Sequence, residues 1–366
     1  MRILRILLLA VAFCGLGSLA GAQAQTREAD PCVSDAASEG FGAATTGCLR
    51  QLIGRQLLVN SISTIPRIVA QSLGIGPDEV EPAGLGNLTP AEYQDRLAGG
   101  SSIIISPVSD SAAVAVPQPQ WNAWIDGKYT WNDASPGNLD LDGPLFNGLA
   151  GIDYKINSRF TVGLMGSYES SNLDGILTDL RSRGWGGGPY LGLILTDNIV
   201  FSASLIGSRI DSSQAGGFFD FESKRLQAAA SLNGYWYKDT WRFTPGLSLS
   251  WSKEWIEETS GFFLPDQTLE TAMLTPTVQI GNTLRLSDTS TVEPWAGAAL
   301  DFVFVNETKT SGVGSVDDPY ADLRLQAGFN FNFGTNAQLA IIGELGGLIQ
   351  DSVDTYAGEI SFAMQF

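Results

Sequence analysis

The 366-residue sequence contains no histidine. That removes the histidine-dependent catalytic dyads and triads, and every imidazole metal ligand. A hydrolase working through carboxylates alone would need two placed acids, and no spacing points to such a pair. The chain is therefore read as a non-enzyme with no cofactor and no metal. Positive charge is also scarce. Lys and Arg number 21 against 39 Asp and Glu, for a net charge of −18. That argues against nucleic acid, whose binders carry a basic footprint, and against a basic patch docking on anionic lipid heads. Hydrophobic residues make up 44 %, an ordinary share, so this is not the composition of a helical membrane protein with many spans.

Cysteine is limited to three residues, and one lies in a stretch that reads as a secretory signal. Arg2 and Arg5 supply the positive start, Ile6 to Leu16 the apolar core, and Ala20-Gly-Ala22 and Ala22-Gln-Ala24 the small-residue sites. Residues 1–24 are expected to leave after Sec-type export, with cleavage after Ala22 as the alternative. Cys14 leaves with them. Cys32 and Cys48 remain, and an exported chain with two cysteines is expected to pair them. Such a bridge closes a short loop and stabilises it by roughly 3 kcal/mol on the chain-entropy account.

Residues 25–118 differ in character from the remainder of the chain. Leu49, Leu52, Ile53, Leu57 and Leu58 recur at helical spacing and predict a helix near 46–62. A second helix is expected over 90–98, capped by Thr89, with Pro90 in its first turn and Glu92 in the capping box. Pro117 and Pro119 mark a boundary, and a different unit is expected over 119–366.

From Trp121 onward the period changes to two, in twelve alternating segments. In the last one Tyr356, Gly358, Ile360, Phe362, Met364 and Phe366 share one face, while Ala357, Glu359, Ser361, Ala363 and Gln365 share the other. An oily terminal strand left as a sheet edge invites aggregation, and closing a barrel in lipid removes that edge. The glycine-rich fourth segment, near 186–195, is ambiguous in its facing. The connections decide the class. Those near 132–144, 171–183, 212–223, 253–271 and 306–319 read as long and polar. Those at Asn157-Ser158, 196–198, 238–240, 287–290 and 334–336 are tight. Long loops at one rim and short turns at the other mark an outer-membrane barrel with an even strand count. The expected fold is all-β: a twelve-stranded antiparallel transmembrane barrel, preceded by a small region with short helices.

Taken together, the opening Trp121-Asn-Ala-Trp-Ile-Asp-Gly, Pro294-Trp295 at the ninth segment, and twelve strands ending in Phe366 resemble the C-terminal translocator barrel of autotransporters, the type V secretion proteins. Leu88-Thr-Pro-Ala-Glu-Tyr resembles the helical segment that precedes such barrels. The resemblance implies a Gram-negative outer membrane. It also implies a monomeric barrel that meets outer-membrane lipid, periplasmic chaperones and the barrel-assembly machinery, with a helix in its pore. Tyr356, Ile360, Phe362, Met364 and Phe366 would then form the assembly signal. Passengers in that family are long and repetitive, and residues 25–118 show no such repeat. The function expected is an outer-membrane barrel that translocates or displays a short N-terminal region. The alternative is a passive porin-like or structural barrel without cargo.

By the same alternation the inward charges are Asp126, Lys128, Asp153, Lys155, Glu169, Arg209, Arg225, Arg242, Glu293, Asp301, Arg324, Glu344 and Glu359. They either cradle a threaded helix or only solvate a wet lumen. Two motifs are set aside. Asn138-Leu-Asp-Leu-Asp-Gly143 starts like a calcium loop, but Leu149 stands where its bidentate acid belongs. Gly184 to Gly188 lacks the lysine and helix of a phosphate loop.

Overall fold

The computed structural model describes residues 41–75, 120–134, 141–175, 179–214, 219–257, 266–287, 289–310, 314–317, 319–334, 336–349 and 353–366. Cys32, the expected 90–98 helix and the signal segment lie outside them, as does the side chain of Cys48.

Twelve long strands run in sequence: β1 (Trp121–Ala134), β2 (Leu141–Asn157), β3 (Phe160–Gly175), β4 (Leu180–Thr196), β5 (Ile199–Gln214) and β6 (Phe219–Gly234), then β7 (Trp241–Ile256), β8 (Gln267–Asn282), β9 (Ser290–Thr310), β10 (Tyr320–Phe333), β11 (Ala337–Gly346) and β12 (Val353–Gln365). Each pairs antiparallel with the next. β12 returns to β1 in continuous register, from Asn122 opposite Gln365 to Ala134 opposite Val353. The sheet is thus closed, and its backbone donors and acceptors are satisfied inside the wall as a bilayer requires.

Side chains sort as the period of two dictates. Ile125, Tyr129, Leu164, Leu249, Phe304, Phe329 and Ile360 point outward and stay exposed, whereas Asn122, Asp126, Lys128, Asp153, Glu169 and Asp301 are buried inside. β4 loses its ambiguity. Its arginines and Trp185 face out, while Gly184, Gly186, Gly188, Tyr190 and Gly192 face in. The inward glycines are required by space. A Cβ at Gly184 would meet Glu169 at 2.7 Å, and one at Gly192 would meet Val69 at 2.1 Å.

The strands are longer than the alternation indicates, from 10 to 21 residues. They carry the ladder into stretches expected to be loops, so that β1 reaches Ala134 and β2 starts at Leu141. Above the lipid band both faces of a strand meet water. Hydropathy then stops alternating while the hydrogen-bond ladder continues.

Among the described residues, the helix inside the barrel is α1 (Phe41–Ser72). At 1.5 Å per residue it is about 48 Å long, more than the roughly 30 Å hydrocarbon core. It extends beyond the expected 46–62 at both ends and runs through Pro66. Proline removes one hydrogen bond and would normally kink or end a helix. Here Ile65, Ile68, Val69 and Leu73 around it are buried against the wall, which holds the last turns in place.

Candidate functional site: the filled lumen

Four side chains anchor α1 to the barrel, spaced from the long-loop rim to the tight-turn rim. Near the long-loop rim, Arg50 donates to Glu254 (2.9 Å), Ser223 (3.1 Å) and Ser212 (3.3 Å). Arg225 from the wall also donates to Glu254 (2.8 Å) and to Glu169 (2.7 Å). One turn lower, Arg55 pairs with Asp322 at 2.7 Å and lies 4.9 Å above the Tyr320 ring. Further down, one nitrogen of Arg67 serves both Asp126 (2.9 Å) and Glu359 (2.6 Å). At the foot, Ser72 hydrogen-bonds Asp153, which also accepts from Asn122 (2.9 Å), Thr161 (3.0 Å) and Tyr190 (2.6 Å). Trp124 donates to the Tyr190 hydroxyl at 2.7 Å, and Gln365 donates to the Gln71 carbonyl at 2.6 Å.

Between these polar anchors the contact is apolar. Ile65, Ile68, Val69 and Leu73 pack on Trp124, Leu149, Met165, Tyr190, Val200 and Ile206. Leu58, Val59 and Ile62 pack on Met273 and Val303. Burying each large aliphatic side chain contributes about 1.5–3 kcal/mol. A void beside Leu57, Asn60, Asn147 and Glu169 measures about 10 Å³, space for about one water.

Charge explains why this helix belongs here. Among the described residues the wall buries nine carboxylates against four cations. α1 contributes three arginines and no acid, and all three bond to wall carboxylates. The 90–98 segment contains Glu92 and Asp95, and an acidic lumen would disfavour both.

The structure places the sequence-derived pore residues as follows. Asp126, Lys128, Asp153, Glu169, Arg225, Arg242, Glu293, Asp301, Arg324, Glu344 and Glu359 are buried inside the barrel, and Lys155 is partly buried near the turn rim. They form networks. Lys128 pairs with Glu344 (2.9 Å), Arg324 bridges Glu344 (2.8 Å) and Asp301 (2.6 Å), and Arg242 holds Glu293 at 2.7 Å. Arg209 is a correction, since it faces outward and pairs with Glu222 at 2.5 Å in the open. In β5 the inward set is Val200, Ser202, Ile206, Ile210 and Ser212, which leaves odd positions outside. Nearby, an exposed hydrogen bond from Lys224 holds the Glu257 carboxyl below its ordinary range. Tyr356, Ile360, Phe362, Met364 and Phe366 form an outward row on β12. Of the calcium-like stretch, Leu141, Asp142 and Gly143 belong to β2, and residues 138–140 lie outside those described.

Sequence reasoning missed Arg50, Arg55, Arg67, Glu254, Tyr190 and Trp124. The legible signal was the run of three arginines without an acid in 41–72. Glu254 was hidden by reading 253–271 as loop.

A family model, the autotransporter β-domain, matches residues 123–345. The chain belongs to the autotransporter β-domain family. Its fold is that of three solved translocator barrels. The β-domain of the Bordetella autotransporter BrkA is 14 % identical with a TM-score of 0.56, over 68 % of this chain and 100 % of that one. The translocator domain of NalP from Neisseria meningitidis is 13 % identical with a TM-score of 0.52, over 69 % and 91 %. The transport unit of AIDA-I from Escherichia coli is 12 % identical with a TM-score of 0.54, over 75 % and 98 %. No curated protein matches the chain in sequence. The autotransporter barrel is a type V secretion component of the Gram-negative outer membrane, a transport and structural element rather than a catalyst.

Proposed function

We propose that this autotransporter barrel carries its own N-terminal segment across the outer membrane and then holds it there by seating α1 in the lumen. The observation that carries the reading is the direction of α1. Arg50, near its start, bonds to strand ends at the long-loop rim, and Ser72, at its end, bonds beside the tight turns. In outer-membrane barrels the tight turns are periplasmic and the longer loops external. Residues 25–40 would then stand on the outer side, as a very short displayed region. A lumen filled by a charge-matched helix also favours display over free diffusion through the pore. Export by a Sec-type signal over residues 1–24, escort by periplasmic chaperones, reading of the β12 row by the barrel-assembly machinery, and a monomeric state belong to the same proposal.

An epitope tag after Gln25 tests it in a Gram-negative host. Antibody and external protease should reach the tag on intact cells. A tag reached only after permeabilisation, with the barrel correctly inserted, overturns the reading.

A further inference from the structure

The bonds of Arg67 are unusual in what they connect. Asp126 belongs to the first strand and Glu359 to the last, so one guanidinium nitrogen spans the line where the barrel closes. Both carboxylates are buried on the lumen side, and one nitrogen within 2.9 Å and 2.6 Å of them keeps them close together. The other cation near the seam is committed elsewhere. Lys128 lies opposite Glu359 in the register, but its ammonium is on Glu344 at 2.9 Å, where Arg324 also donates. Two further contacts of α1 fall close by: Gln365 on β12 holds the Gln71 carbonyl, and Ser72 holds Asp153 beside Asn122 of β1. The lower third of the helix thus grips both edges of the sheet at once.

We infer that Arg67 is a positioning residue that makes helix docking the event that completes barrel closure. Before α1 is seated, β1 and β12 meet across two buried carboxylates with no shared cation, and this rib opens more easily than it does with Arg67 in place. Once Arg67 arrives, the same carboxylates become its ligands and the seam tightens. The inference concerns the seam alone and does not depend on whether residues 25–40 reach the cell surface.

Hydrogen exchange of the purified full-length barrel, read by mass spectrometry strand by strand, tests it. R67Q should raise exchange in β1 and β12 about tenfold while leaving β5 to β8 near the parent rate. R67Q/D126N/E359Q should restore the parent rate at the seam, although the helix still lacks its arginine. A helix that merely loses an anchor would not be rescued this way. Unchanged exchange at the seam, equal acceleration around the whole barrel, or no recovery in the triple variant overturns the inference. Should R67Q give no folded barrel, recovery of folded protein by the triple variant supports it, and continued failure refutes it.

Discussion

Arg55 and Arg50 make a matched pair of perturbations because their carboxylate partners differ in what remains after truncation. In R55A, Asp322 keeps the Gly347 amide at 3.1 Å and loses the cation at 2.7 Å. Both side chains are nearly inaccessible, at 6 % and 2 %. Removing one partner of a buried pair costs about 3–5 kcal/mol, and the low end suits a lumen that admits some water. In R50A, Glu254 keeps a hydrogen bond from Arg225 at 2.8 Å, an ion-pair contact with the same guanidinium at 2.6 Å, and a hydrogen bond from Ser223 at 2.7 Å. Its charge stays compensated, so the loss approaches that of a charge-assisted hydrogen bond, about 1.5 kcal/mol.

The assay is pulse proteolysis in urea of the purified barrel, at concentrations where the sheet persists and a released helix is cut. With an m-value of about 1.5 kcal/mol/M, R55A should lower the midpoint of helix release by roughly 2 M and R50A by roughly 1 M. D322N added to R55A should recover most of the shift, since it removes the stranded charge. Equal shifts for R50A and R55A, or a double variant no better than R55A, would refute the idea that stranded charge governs helix retention.

Three further outcomes are expected. Deleting residues 41–72 should turn the barrel into an open channel in planar bilayers, and its reversal potential in a KCl gradient should show cation selectivity, because the wall retains more buried carboxylates than cations. G192V should destabilise helix seating, since even a Cβ there would lie 2.1 Å from Val69; protease should cut α1 at lower urea than in the parent, by an amount equivalent to about 2 kcal/mol or more. Truncating Phe366 should slow barrel assembly in cells without changing the heat-resistant mobility of the fraction that does fold, as followed by semi-native electrophoresis.

The barrel was legible because lipid imposes one rule on every strand. Leu325, Phe329 and Phe333 stay outward and exposed while Asp322 and Arg324 stay inward and buried, so period two survives in the sequence. The rule applies only at bilayer height. Above it Arg181, Arg183 and Arg209 point outward into water, and charge ceases to mean inward. That is why Arg209 was misplaced and why Glu254 was lost in an assumed loop. The lumen was legible only in part. Trp124, Leu149, Met165 and Val200 face inward although they are apolar, because what fills the pore is a helix with apolar flanks and not water. The inward pattern is therefore written against α1, and it cannot be read without knowing which segment sits there.

That mutual dependence also explains the composition of α1. A surface helix keeps one apolar stripe and one charged face. In α1, Leu58, Val59, Ile62, Ile65 and Ile68 are buried together with Arg50, Asn60 and Thr64, so its described side chains leave no exposed face. Free in water, such a segment would expose its aliphatic side chains. In a dry apolar core its arginines would be stranded. The closed barrel meets both demands, with apolar patches between its carboxylates. In return the helix brings three cations to a wall with a surplus of buried acids. Neither half is well satisfied alone, and so the helix and the barrel are expected to reach their stable form together.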